Sequence, residues 1–244
     1  MKRIKKTKII ATLGPASSSV ECIKSLIKEG VDVLRINFSH STHKEAEKLI
    51  QDIRRISKSL SANTAILADL QGPKLRIGEV ERNTELLDGD IIIIMTGKEF
   101  KGNNKKLYLN YNNLAKDIKK GEKILIDDGK IILKVIEIHK KNEIIAEVVQ
   151  GGILSSNKGF NLPNTSISQP ALTNKDIEDA IFSAKQNVDW IALSFVRHGA
   201  DLESLIKLLN KNTNHRIPVI AKIEKPEGVR NIDEIMKYAS GIMV

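Results

Sequence analysis

Three short apolar runs, Lys8 to Leu13, Val31 to Phe38 and Ala65 to Leu70, are separated by two segments whose apolar residues recur at helical spacing. That alternation constrains the fold more than any other feature, because parallel strands must be joined by long crossovers and the crossovers are right-handed. Local signals agree. Gly14-Pro15 closes the first strand, and Ser17 to Ser19 offer cap hydroxyls to a helix burying Val20, Ile23, Leu26 and Ile27, which Gly30 ends. Ser39 to Thr42 form a polar turn before a helix over Lys44 to Leu60, with Ala46, Leu49, Ile50, Ile53 and Ile56 on one face.

From about Leu75 to Pro170 helical periodicity nearly vanishes. Short β-rich runs (Ile91 to Met95, Lys123 to Ile126, Lys130 to Ile138, Glu143 to Val149) are joined by hairpin chemistry at Asp127-Asp128-Gly129 and Lys140-Lys141-Asn142. This stretch is predicted to be a compact antiparallel β-barrel inserted after the third strand. After Pro170 the rhythm resumes. Thr173 caps a helix through Ala184, Val188 to Phe195 forms a strand, and Ala200 to Leu209 a helix. A buried strand then runs from Ile217 through Lys222-Ile223-Glu224, a helix covers Val229 to Tyr238, and Gly241 to Val244 begins a sixth strand. The expectation is an α/β chain: residues 1–73 and 171–244 build a parallel β/α barrel of about six strands, and residues 74–170 form the inserted domain.

A net charge of +9 raises nucleic acid as a partner, so its distribution matters. Five positive residues (Lys2, Arg3, Lys5, Lys6, Lys8) crowd the first eight, lysine outnumbers arginine 30 to 9, and aromatics are 4% of the chain. That is poor material for base readout or stacking. The inserted stretch carries 15 bases against 13 acids, which leaves an oligonucleotide-binding barrel as the minority reading. A single cysteine, Cys22, predicts no disulfide framework and a reducing compartment, the cytoplasm. The run Ile9 to Leu13 is too short for a signal core or a membrane span, so no targeting segment and no membrane partner are expected.

The strands share one property: they end in polar residues. Thr12 closes the first; Arg35, Asn37 and Ser39 alternate along the second and share a face; Asp69 ends the third, Ser194 the fourth, and Lys222 and Glu224 the fifth. In a parallel barrel these ends gather at one mouth, where such folds build active sites. Guanidinium, ammonium, amide, hydroxyl and carboxylate groups together suit phosphate and a divalent metal. No Ser-His-Asp spacing or Cys/His metal cluster competes, and His43, His139, His198 and His215 read as loop or surface residues.

Thr12-Leu13-Gly14-Pro15-Ala16-Ser17, Arg35-Ile36-Asn37-Phe38-Ser39-His40, Asp69-Leu70-Gln71-Gly72-Pro73-Lys74-Leu75-Arg76, Lys158-Gly159-Phe160-Asn161-Leu162-Pro163 and Lys222-Ile223-Glu224 resemble, in order, the successive motifs of the pyruvate kinase family. The resemblance implies magnesium-dependent (or manganese-dependent) phosphoryl transfer from phosphoenolpyruvate to ADP, giving pyruvate and ATP in glycolysis. It also implies an eight-stranded TIM barrel, an inserted barrel acting as a lid over the nucleotide, and a homotetramer in the complete protein. By motif position, Arg35 binds the phosphoryl group, Lys222 neutralises it in transit, Glu224 holds Mg2+, and Ser194 lines the substrate pocket. Thr12, Pro15, Asn37, His40, Arg76 and Lys158 match nucleotide positions; Asn37, Ser39, Asp69 and the Leu70 carbonyl match a K+ site.

Two departures accompany the match. Lys74 stands where potassium-dependent members carry glutamate, implying that its ammonium replaces the ion, and the expected second metal-binding aspartate lies beyond Val244. Residues 1–244 alone are therefore expected not to catalyse the reaction, since about six strands leave a barrel open and one carboxylate holds magnesium weakly. The rival readings are another metal-dependent phosphoenolpyruvate or oxo-acid barrel enzyme, such as a lyase, and a nucleic-acid-binding protein built on the inserted barrel.

Overall fold

In the computed structural model, which describes residues 6–244, the chain begins with β1 (Ile10–Leu13), α1 (Val20–Lys28), β2 (Val33–Asn37), α2 (His43–Ser59) and β3 (Ala65–Asp69). Then follow β4 (Glu85–Leu86), β5 (Ile91–Met95), β6 (Lys106–Tyr108), α3 (Leu114–Asp117), β7 (Lys123–Ile126), β8 (Ile131–Lys140), β9 (Glu143–Gln150), β10 (Gly152–Ile153) and β11 (Phe160–Asn161). The chain continues through α4 (Asn174–Lys185), β12 (Trp190–Leu193), α5 (Gly199–Asn212), β13 (Val219–Lys222), α6 (Pro226–Arg230), α7 (Ile232–Met236) and β14 (Gly241–Met243). Two compact units result, Met1–Pro73 with Ala171–Val244, and Lys74–Pro170. Lys2, Arg3 and Lys5 of the basic N-terminal cluster lie outside the described residues.

The first unit is a curled, six-stranded parallel sheet in the order β1-β2-β3-β12-β13-β14. Alternation in β2 fixes its orientation: Leu34 and Ile36 are buried against the helices with Ile23, Ile50, Ile53 and Leu205, while Arg35 and Asn37 take the opposite face. A complete capping box starts α2, the Thr42 hydroxyl accepting from the Glu45 N–H while the Glu45 carboxylate accepts from the Thr42 N–H and hydroxyl. The hydrogen bonds that Glu45 accepts, the backbone one first, hold its carboxyl below its ordinary pKa.

Two expectations about this unit need correction. The single helix predicted over Val229 to Tyr238 is two short ones starting at Pro226, broken at Asn231. There the backbone leaves helical geometry while Asn231 Nδ2 donates to the Arg197 carbonyl at 2.8 Å. The fourth strand, Trp190–Leu193, is shorter than Val188 to Phe195, and Phe195 just past its end leaves extended geometry at φ 56°.

The second unit is not the all-antiparallel barrel expected from its hairpins. Its main sheet, β11-β7-β8-β9-β5-β6, is mixed: β6 runs parallel to β5, whereas the other pairings are antiparallel. The roughly ten-residue connection from β5 to β6 returns the chain to the starting end before pairing resumes, which a tight hairpin would not do. Its separate core includes Ile92, Ile94, Leu107, Leu133, Ile144 and Phe160. His139, read as a loop or surface residue, lies on the exposed part of β8.

Candidate active site

Parallel register places the polar strand ends side by side. Thr12 pairs with Arg35, Asn37 with Asp69, and Asp69 with Ala192, so β1, β2, β3 and β12 finish together. Asp69 is 1% exposed and is surrounded by cations. The Arg35 guanidinium donates to Asp69 Oδ2 from Nε at 2.8 Å and again from a terminal nitrogen, and its other terminal nitrogen donates to Thr12 Oγ1 at 3.0 Å. From β13, Lys222 Nζ lies 3.3 Å from Asp69 Oδ1, 3.3 Å from Glu224 Oε1 and 2.8 Å from Ser194 Oγ. Ser194 Oγ donates onward to the Leu70 carbonyl at 2.7 Å. The Phe195 N–H, turned by its positive φ, donates to Glu224 Oε2 at 2.9 Å. Five of the sequence-predicted residues (Thr12, Arg35, Asp69, Ser194 and Lys222) thus form one hydrogen-bonded network, with Glu224 at its edge.

Charge in this network balances: two cations face two carboxylates. Arg35 and Lys222 keep 25% and 12% of their side chains exposed, so both remain accessible to an arriving anion while Asp69 is not. Asp69 Oδ1 has the Lys222 ammonium nearby but no directed hydrogen bond, leaving a buried oxygen lone pair available to a cation. The Leu70 carbonyl adds a second oxygen nearby, although Asn37 Oδ1 is already engaged by the Ser39 N–H at 2.9 Å. An all-oxygen donor set of this kind fits a hard monovalent or divalent ion. Glu224, one-third exposed, is the carboxylate open to a divalent metal; among the described residues there is no group of three His, Cys, Asp or Glu side chains that could hold one alone.

Thr12 also lines a cavity of about 680 Å³ with Gly14, Pro15, Asn37, His40 and Ser41. The Ser17 hydroxyl accepts from the Gly14 N–H at 2.9 Å and shapes the β1–α1 loop, and the Asn37 side chain does the same for the turn after β2. Four residues matched to a nucleotide by motif therefore border one space. Sequence reasoning missed its far wall, Glu45, Lys48, Leu49 and Asp52 of α2. The spacing of Glu45, Lys48 and Asp52, three, four and seven residues, was the available signal, since it marks a polar face of α2 beside the apolar one to which Leu49 belongs.

Gly72 packs against Ser194 and Phe195. Its φ of +67° favours glycine, and a Cβ there would stand 2.9 Å from both Ser194 Cβ and Phe195 Cδ2. Its N–H donates to the buried carboxylate of Asp176 at 2.9 Å.

Arg76 and Lys158 belong to the second unit, where Arg76 bridges to Gly159 and its guanidinium donates to the Asn157 carbonyl at 2.8 Å. The Lys158 ammonium pairs with Asp127 at 3.0 Å; hydrogen bonds from Lys158 and then Lys130 hold the Asp127 carboxyl below its ordinary range. The Lys74 carbonyl accepts from Asn110 at 3.0 Å.

A family model described as the pyruvate kinase barrel domain matches residues 4–244. Pyruvate kinase of Corynebacterium glutamicum is 42% identical over 240 residues, covering 98% of this chain and 50% of the relative. The Clostridium perfringens enzyme of the same name is 40% identical over 242 residues, 99% of the chain and 51% of the relative. That of Geobacillus stearothermophilus is 42% identical over 246 residues, all of the chain and 41% of the relative. The chain spans about half the length of these relatives or less, and the family model covers it from residue 4 to 244: it belongs to the pyruvate kinase family.

Proposed function

We propose that this chain supplies the phosphoryl-transfer half-site of a glycolytic pyruvate kinase, in which phosphoenolpyruvate passes its phosphoryl group to ADP and leaves pyruvate and ATP. The observation that carries the reading is the pair of partly exposed cations, Arg35 and Lys222, held at fixed distances by one buried carboxylate beside a nucleotide-sized cavity. Phosphoryl transfer needs little covalent help from the protein; it needs positioning and preorganised charge. The Arg35 guanidinium binds oxygens of the phosphoryl group. Lys222 faces the equatorial oxygens, whose charge spreads in the transition state, and Ser194 and Glu224 keep its ammonium from folding away.

ADP, and the ATP formed from it, occupy the cavity bounded by Thr12, Pro15, Asn37 and His40. Arg76 and Lys158 are assigned to the nucleotide by motif position. Glu224 would hold Mg2+ or Mn2+, with water and substrate oxygens as the other ligands, and the metal when bound neutralises phosphate charge. Asn37, Ser39, Asp69 and the Leu70 carbonyl are the donors for a monovalent ion, whose place Lys74 is proposed to take. A cytoplasmic homotetramer, the inserted unit serving as a lid, and a closed eight-stranded barrel belong to the same reading. So does the absence of turnover by residues 1–244 alone.

Calorimetric titration of the chain with phosphoenolpyruvate and with ADP, each with magnesium, tests the assignment. Saturable binding of both is expected, with phosphoenolpyruvate affinity lost in Arg35→Met. In a protein of the relatives' full length, Lys222→Ala should lower pyruvate formation by ~10²–10³ with smaller effects on binding. Retention of near-normal turnover by that variant would remove Lys222 from the mechanism.

A further inference from the structure

The turn from Phe38 to Thr42 carries His40 and Ser41 to the cavity wall, yet its firmest anchors come from a helix far along the chain. Lys175 of α4 donates from Nζ to the Phe38 carbonyl at 2.9 Å and to Asp179 Oδ2 at 2.6 Å. Asp179, its side chain 3% exposed, places Oδ1 2.7 Å from His43 Nε2. A carboxylate only accepts, so Nε2 carries the proton. The His43 ring is stacked on Phe182, also of α4, at 4.3 Å and 6°, and Phe38 meets both rings edge-on at 6.1 and 6.3 Å. The turn is thus gripped at both ends: at Phe38 by an ammonium and a ring, at His43 by a carboxylate and a ring.

Burying a carboxylate is costly even when it is paired, and apolar side chains of similar size would hold two helices together as well or better. What the charged cluster adds is direction. An ammonium fixed by Asp179 and aimed at one main-chain carbonyl sets the height of the turn in a way that apolar packing does not. The consequence falls on the cavity wall, because His40 and Ser41 follow Phe38 and precede His43 within the gripped segment.

We infer that Lys175, Asp179 and His43 are positioning residues for the nucleotide, acting through the Phe38–Thr42 turn without touching it themselves. This rests on the assignment of the cavity to ADP made above. It predicts a split that a merely structural role would not give: ADP binding depends on the cluster, phosphoenolpyruvate binding through Arg35 and Lys222 does not.

The test is calorimetric titration of the chain with ADP and, separately, with phosphoenolpyruvate, both with magnesium, alongside thermal unfolding. In Lys175→Met/Asp179→Leu the buried carboxylate and its half-exposed ammonium partner become apolar together, so no buried charge is left unpaired and the melting temperature should hold or rise. ADP affinity should fall about tenfold, the loss expected when one charge-assisted hydrogen bond is no longer presented correctly. Phosphoenolpyruvate affinity should stay within about twofold. His43→Leu, which removes the contact at the other end of the turn, provides the second variant and should give the same split with a smaller ADP loss; His43→Gln, which restores an N–H toward Asp179, should recover most of it. Folded variants that bind ADP as the parent does, or that lose both ligands equally, overturn the inference while leaving the site intact. A parent chain that binds phosphoenolpyruvate but not ADP overturns the cavity assignment, and this inference with it.

Discussion

Replacing Asp69 by asparagine removes one negative charge from between two cations while keeping the side chain's volume. Asp69 is 1% exposed, and it is the shared partner of Arg35 and Lys222. Removing one member of a buried ion pair typically costs ~3–5 kcal/mol, because the partner is left buried and uncompensated. Here the partners keep 25% and 12% of their side chains in solvent, so water shares the burden and the low end, about 3 kcal/mol, applies. The asparagine carbonyl still accepts one hydrogen bond from Arg35, returning about 1 kcal/mol. The net expectation is a loss of about 2 kcal/mol in the first unit. Because the chain comprises two compact units, the probe must be confined to one of them. Trp190, the single tryptophan, sits on β12 opposite Leu67 of β3, so its fluorescence during urea unfolding reports on that unit. The variant also leaves two cations facing each other, so inorganic phosphate should stabilise it more than the parent, by mass action. A loss below about 0.5 kcal/mol, or equal phosphate stabilisation of both proteins, would refute the claim that Asp69 compensates this pair.

Three further outcomes are expected. Gly72→Ala combines a left-handed backbone, ~1–2 kcal/mol, with contact at 2.9 Å against Ser194 and Phe195, and should cost about 2–4 kcal/mol by the same fluorescence assay; a loss under about 1 kcal/mol would show that the β3 end relaxes freely. Glu45 has a folded pKa below its unfolded one, so its contribution is present above the ordinary carboxylate pKa of about 4.3 and is lost as pH falls through the depressed folded value. Melting temperatures of Glu45→Gln and parent should therefore converge between about pH 5 and pH 3, and a constant difference across that range would contradict the capping-box account. Finally, in a protein of the relatives' full length, pyruvate formation should proceed in buffer free of potassium and sodium, and Lys74→Glu should make it potassium-dependent; a strong potassium requirement in the parent would reject replacement of the ion by Lys74.

Much of this was legible in the sequence because it depends on local periodicity. Leu34, Arg35, Ile36 and Asn37 alternate, so their faces follow from chain geometry alone, and Ala46, Ile50 and Ile53 keep a helical spacing that no strand could turn to one side. Register then brings Thr12, Arg35 and Asp69 together without further information. What stayed hidden depends on long-range partners. The parallel β5–β6 pairing is a choice made by the returning chain, not by the β-propensity of either strand. The break at Asn231 is fixed by the Arg197 carbonyl, and the still-exposed His43 finds its partner in Asp179, 136 residues away in sequence. The far wall of the cavity, Lys48 and Asp52, carries charges that read from the sequence as an ordinary solvated helix face.

The bridge between Arg76 and Gly159 bears on how the parallel sheet assembles. Pairing β3 with β12 joins Asp69 to Ala192, closing a loop of about 120 residues if the intervening chain is unfolded. Once the second unit has formed and fastened Arg76 to Gly159, the chain still to be closed shortens to about 40 residues. Closure entropy scales with the logarithm of length, so this roughly threefold shortening is worth about 1 kcal/mol, or roughly a fivefold gain in the frequency of β3–β12 encounters. The β7–β8 and β8–β9 hairpins of the second unit are local in sequence, and hairpin formation takes about 1–10 μs, so folding of that unit starts without waiting for the β3–β12 loop to close. A substitution that weakens β7–β8 pairing should therefore slow the recovery of Trp190 fluorescence on refolding, although the tryptophan belongs to the other unit.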